Sequence, residues 1–377
     1  MKRQGLKNKL EKEKEALQTE TERKYYIDNL RWACILLLIP FHTAMAWNCW
    51  EGNYIWFYKN RILSSVVISV SPWYMALLFV LAGVSARLAL KKKTYGGFIR
   101  ERILKLLLPL LTGMCTVVAL MAYYGDKFHN GYQGSFLSHY PVFFTRLTDL
   151  TGYDGGWTTG HLWFLLYLFI ISMICLGLIF LQKTYLPKLG FGEMHAGWIA
   201  SFVVLLPFAG EILSIAGKSI GFYMVLYLLG YYVIAEDKNM DKIIRYRSIY
   251  LLIMLIADAA DVYMFIWADN ANGVLNSIAM YIACWFGILA LLGFAKPGFN
   301  QNNRITQYLT GNSFLIYIFH FMWIIILQFY LGNVTDNLLV LIVGSVSGSL
   351  LLTLATCEVV KRIPLIRIFF GAPIRRR

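Results

Sequence analysis

Apolar stretches close to 20 residues long recur through the 377-residue chain, near 30–48, 66–88, 103–124, 162–181, 198–216, 220–235, 248–267, 274–295, 313–331 and 338–357. A helix needs about 20 such residues to cross a hydrocarbon core about 30 Å thick. Only helices or closed barrels satisfy the backbone in lipid, and these runs lack the two-residue alternation of barrel strands. The expected architecture is an all-α, polytopic integral-membrane bundle of about ten transmembrane helices. Composition agrees, because 58% hydrophobic and 15% charged residues with a mean hydropathy of +0.56 lie far from soluble averages of about a quarter charged. A soluble enzyme, a secreted disulfide scaffold and a disordered protein are excluded. Ala44-Met45-Ala46 has the form of a signal-peptidase site, but the long charged leader before it predicts a retained first helix.

The net charge of +14 follows the topology. With both termini placed in the cytoplasm, only Lys59, Arg61, Lys127, Arg146 and Lys218 of the 35 basic residues fall outside, as the inward bias of Lys and Arg requires. No soluble segment is long enough to present a basic face, so no nucleic acid is expected as a partner. The chain divides into a polar cytoplasmic tail at 1–29, a transmembrane domain at 30–357 with a long outer loop at 125–161, and a basic cytoplasmic tail at 358–377. The loop's aromatic content argues for order, and its length suits it to shape an acceptor site. Six dispersed cysteines without Cys-x-x-Cys spacing read as small apolar residues, not disulfides or metal ligands.

Ionisable residues inside membrane helices are costly and mark candidate sites. Arg31 and His42 are eleven residues apart on the first helix, about 20° beyond three full turns and about 16 Å along the axis. They share a face, with Arg31 at the cytoplasmic mouth and His42 just past mid-membrane. A cationic entrance leading to an imidazole suits an anionic cofactor whose reactive end reaches His42, and imidazole can take a hydroxyl proton near neutral pH. The alternative is a positive-inside anchor and a hydrogen-bonded packing residue. Arg102 and Lys105 at the start of the third helix lie one turn apart and could address one phosphate, although basic residues are expected there in any case. His161 and Trp163 suit either an interfacial belt or a sugar-binding edge. Ser313, Tyr317 and His320 form one polar stripe on the ninth helix. Asp258 and Asp261 share a face of the seventh helix and Glu211 is expected deep in the fifth, a pattern also found in proton-coupled transporters. His129, His139 and His195 are expected to be solvated in loops.

Several of these stretches together resemble the integral-membrane acyltransferase 3 family, particularly the branch that includes glucan biosynthesis protein C. They are Tyr26-Ile27-Asp28-Asn29-Leu30-Arg31 running to Phe41-His42, Phe79-Val80-Leu81-Ala82-Gly83-Val84-Ser85, Arg102 to Pro109, Gly160-His161-Leu162-Trp163-Phe164-Leu165 and Ile316-Tyr317-Ile318-Phe319-His320. The resemblance spans nearly the whole chain, and the spacing of Arg31 and His42 is its most specific mark. It implies transfer of an acetyl or succinyl group from cytoplasmic acyl-CoA (acetyl-CoA or succinyl-CoA) to a hydroxyl of an extracytoplasmic glycan or glycolipid, at the plasma membrane and without a metal. His42 inherits the catalytic role, while Arg31, Arg102 and Lys105 inherit the donor side. The family's basic pair is usually two arginines, and Lys105 keeps the charge without the bidentate geometry. His161, Trp163, Tyr317 and His320 are the acceptor-side candidates. Membrane lipids are the remaining partner, homo-oligomerisation stays open, and the alternatives are a proton-coupled transporter or exporter of a glycan or lipid intermediate and a non-enzymatic membrane sensor or scaffold.

Overall fold

The computed structural model describes residues 24–187, 192–215, 217–268 and 273–371. Most of the expected amino-terminal tail and the last residues of the basic tail lie outside these. Among the described residues, eight helices are long and apolar enough to cross a membrane: α1 Tyr25–Trp47, α2 Arg61–Leu90, α3 Tyr95–Asn130, α5 Gly160–Tyr185, α8 Asp237–Trp267, α9 Gly273–Gly298, α10 Arg304–Gly332 and α11 Leu338–Arg362. The helix α4, Phe136–Thr145, lies in the loop after α3, and α12, Pro364–Phe369, follows α11. The protein is thus a polytopic helical membrane bundle.

Two expected spans are shorter than a crossing. α6 covers Ala196–Gly210 and α7 covers Ile220–Ile234, each about 22 Å long at 1.5 Å per residue against a core of about 30 Å. Between them the chain forms a two-stranded hairpin, β1 Ser214–Ile215 and β2 Lys218–Ser219. The break has a local cause: Leu213 and Gly217 both take positive φ, which ends a helix. Irregular backbone near membrane depth persists only where protein or a wet cavity satisfies it. Here the Tyr167 hydroxyl of α5 donates to the carbonyls of Ile215 and Lys218 at 2.7 and 3.1 Å. Glu211, expected deep in a helix, is instead exposed at the end of α6.

α2 and α7 meet with almost no side chain between them. A Cβ added at Gly83 would lie 2.0 Å from the carbonyl oxygen of Tyr227, and one added at Gly230 would lie 2.1 Å from that of Val80. Small residues allow such close approach where apolar driving force between membrane helices is absent. The glycine of the Phe79–Ser85 stretch therefore sets the position of α2, and Ser85 beyond it.

The outer loop is ordered around Asp126 at the end of α3. This buried carboxylate accepts from Asn130 Nδ2 at 2.6 Å, His139 Nε2 at 3.1 Å and Arg146 Nη1 at 3.2 Å. Arg146 also donates to the carbonyl of Asp154. Gly155, at φ 86°, packs so closely that a Cβ would lie 2.6 Å from His139 Nε2. His139, expected in solvent, is wholly buried, because a neutral imidazole beside a carboxylate closes the network. Burial lowers its pKa below the ordinary 6.5, against the pull of Asp126. His129 reaches the carbonyl of Asn53 at 2.6 Å, and His195 is exposed, capping α6 by accepting from Gly197 N at 3.1 Å.

Candidate active site

The start of α1 organises one end of the bundle. Asn29, which has no assigned role in the Tyr26–Arg31 stretch, is buried and donates to the carbonyls of Phe299 and Gln301 at 2.8 and 2.9 Å. It thereby ties α1 to the turn between α9 and α10. Arg31 then points elsewhere: Nη1 donates to Asp28 at 2.9 Å and Nη2 to Ser85 Oγ at 2.9 Å. Two of the stretches singled out in the sequence thus touch through a guanidinium and a hydroxyl. Asp28 balances the guanidinium locally, and the Arg31 side chain remains 32% exposed.

Arg102 and Lys105 have different partners. The Arg102 guanidinium lies 4.6 Å from the centre of the Phe98 ring, while Lys105 pairs with Glu101 at 2.6 Å and its side chain is 63% exposed. The reason is the backbone: residues Ile103–Leu107 form a π-helical segment. The wider i→i+5 turn removes the one-turn alignment that a regular α-helix would impose on a three-residue spacing. Lys93 pairs with the same Glu101 at 2.5 Å, so Lys105 belongs to a surface ion cluster.

The membrane interior holds a cluster of imidazoles drawn from α1, α5 and α10. His42 stacks on Phe321 with ring centres 4.0 Å apart and lies 5.4 Å from His320. His161 lies 5.4 Å from His320 and nearly perpendicular to it. Backbone carbonyls fix two of the three rings. His320 Nδ1 sits 3.0 and 2.9 Å from the carbonyls of Ile316 and Tyr317, and His161 Nε2 sits 2.9 Å from that of Ile318. A carbonyl only accepts, so each of those nitrogens carries the proton. His320 Nε2 and His161 Nδ1 are consequently bare acceptors, and both are buried without a partner. Tyr317 uses its hydroxyl to hold the His161 carbonyl at 2.5 Å, and Gln328 donates to the Thr43 carbonyl at 3.0 Å. These contacts fasten α5 and α1 to α10 on either side of the cluster. Ser313 donates back to Thr310 within α10, so it braces its own helix.

Above the imidazoles lies a cavity of about 520 Å³ whose wall includes His42, His161, Phe321, Tyr54, Trp163 and Lys218. Its rim is made by the outer loops, among them Glu51, Asp149 and Trp157. The Lys218 ammonium stands 4.9 Å from the Trp163 ring centre. His161 is only 6% exposed, so it belongs to the cavity floor more than to an interfacial belt, whereas Trp163 forms a side wall.

The structure therefore gathers His42, His161, Tyr317 and His320 in one place, puts Trp163 beside them, and gives Arg31, Arg102 and Lys105 different partners. Phe321 and Tyr54 were missed in the sequence. Phe321 follows His320 directly, but an aromatic in an apolar helix carries no local signal of what it stacks on. Among the described residues no group of His, Cys, Asp and Glu side chains is arranged to hold a metal.

A family model described as an acyltransferase domain matches residues 24–356 of the chain. No curated protein matches it, and neither does any solved structure.

Proposed function

The chain belongs to the acyltransferase domain family and is a multi-pass membrane acyltransferase; we propose that it moves an acetyl or succinyl group from cytoplasmic acyl-CoA to a hydroxyl of an extracytoplasmic glycan or glycolipid, at the plasma membrane. Within the family we place it in the branch that includes glucan biosynthesis protein C, on the stretches quoted above. The observation that carries the reading is His42 at the floor of an outward cavity, on the same helix as a cytoplasmic-side guanidinium at Arg31.

The chemistry follows from the geometry. The acceptor hydroxyl enters the outer cavity and the thioester comes from the cytoplasmic side along α1. His42 takes the hydroxyl proton as the oxygen attacks the thioester carbonyl. The C–S bond breaks, the ester forms, and the proton passes from the imidazolium to the departing thiolate. His320, whose bare Nε2 is fixed by its tautomer, accepts an N–H or stabilises the imidazolium, and Phe321 holds the His42 ring plane. Arg31 supplies the donor-side charge, joined by Arg102. Lys105, paired with Glu101, supplies long-range attraction for a phosphate at the membrane surface.

Mass spectrometry of envelope glycans and glycolipids from cells with and without the protein tests this reading. The expected result is an acetyl or succinyl substituent that disappears with the protein and with His42→Ala. Identical substituents in all three strains would remove the proposal.

A further inference from the structure

A second cavity of about 340 Å³ lies next to the first, and Lys218 lines both. Its wall is built by α2, the end of α6, the hairpin, α7, α8 and α9, none of which holds the imidazole cluster. One side is polar. Asp261 of α8, 4% exposed, accepts from Asn276 Nδ2 of α9 at 2.5 Å, and the same nitrogen reaches the Asp261 carbonyl at 3.2 Å. Asn276 thus directs its amide N–H groups at Asp261, and the amide carbonyl is the group left to offer the cavity. Ser71, Ser219 and Ser277 add hydroxyls, and Tyr223, Phe265 and Tyr281 add ring faces.

An aspartate inside a membrane helix bundle is expensive unless it meets a partner or a wet cavity, and Asp261 has a partner in Asn276 and lines a cavity. The hairpin between the short helices α6 and α7 is irregular backbone of the kind that persists when it borders such a cavity. A carboxylate, an amide, several hydroxyls and aromatic faces in one concavity make the combination that binds a sugar ring: acceptors and donors for its hydroxyls, flat apolar surface for its C–H face.

We propose that this second cavity is an acceptor subsite that binds the sugar residue next to the one being acylated. The reacting residue occupies the larger cavity above His42, and the acceptor chain passes Lys218 and the Trp163 face to place its neighbour against Asp261 and Asn276. The enzyme would then act on a chain of two or more sugars in preference to a single sugar. This inference rests on the acyl-acceptor reading of the larger cavity.

Calorimetric titration of the full chain in lipid nanodiscs tests it, using single sugars, disaccharides and trisaccharides prepared by partial acid hydrolysis of the host cell's own envelope glycans. Disaccharides are expected to bind at least about tenfold more tightly than single sugars, a gain that a second occupied subsite readily supplies. In Ser277→Trp, which fills the second cavity, and in Asn276→Ala, which removes its amide, the ratio should fall to about one. Equal affinity at all lengths for the unaltered protein, or a length gain that survives Ser277→Trp, overturns the subsite and leaves the larger cavity as the acceptor site. Absence of binding by fragments of any length overturns the glycan reading itself, and the subsite with it.

Discussion

The His42 ring centre lies 5.4 Å from that of His320, although the two residues sit on α1 and α10, at opposite ends of the transmembrane sequence. Because His320 Nδ1 is committed to two α10 carbonyls, His320 faces the cluster with an unprotonated nitrogen. A proton arriving on His42 therefore has an acceptor beside it that needs no tautomer exchange.

Replacing either ring separates the roles. His42→Ala should lower acyl transfer about 10²- to 10⁴-fold, the usual contribution of a positioned general base, with membrane insertion and thermal unfolding little changed. His320→Ala should reduce kcat with little effect on the KM of acyl-CoA. Steady-state kinetics on purified protein read both, and full turnover by His42→Ala would dismiss the mechanism.

At the proposed donor end, Arg31→Ala and Arg102→Ala should weaken acyl-CoA binding much more than Lys105→Ala. Exposed ion pairs such as Lys105–Glu101 contribute little. Donor dissociation constants from equilibrium binding decide the matter. An unchanged constant for Arg31→Ala would show that the guanidinium serves only Asp28 and Ser85.

Gly83→Ala should destabilise the bundle by about 1–3 kcal/mol, the common cost of forcing a methyl into a filled contact, since its Cβ would fall 2.0 Å from a backbone oxygen of α7. A lowered unfolding midpoint in detergent is the expected sign. Gly96→Ala, where nothing lies within 4 Å of the added Cβ, is the matched control and should leave the midpoint nearly unchanged.

The outer loop should loosen in acid. Burial holds the His139 pKa below 6.5, so the folded loop favours the neutral ring. That stability is complete above the unfolded value of about 6.5 and is lost as pH falls from there toward the lowered folded pKa. Limited proteolysis between residues 131 and 159 should accelerate over that interval, and His139→Gln should flatten the dependence. Cleavage that is independent of pH in the unaltered protein would contradict the assignment.

Much of this was legible along the chain because the cause is local. Hydropathy over a helix length reports a crossing without reference to any neighbour, and it located the eight long helices. Arg31 and His42 could be placed on one stripe because a single regular helix carries both. The tertiary structure alone decided the rest. A three-residue spacing in an α-helix aligns Arg102 and Lys105, but a π-helical turn begins at Ile103, and the two side chains meet different partners. The span expected at 198–216 ends at Gly210 in α6, because the chain turns at Leu213, where φ is positive, and hydropathy does not report a turn. His139, polar and in a loop, was buried by a carboxylate on α3 that no local pattern announces. The convergence of His42, His161 and His320 depends on which helices pack together, and that is settled by contacts such as Gly83 against Tyr227, Gln328 on Thr43 and Tyr317 on His161. Those contacts join residues distant in sequence, where helical periodicity carries no information about the partner.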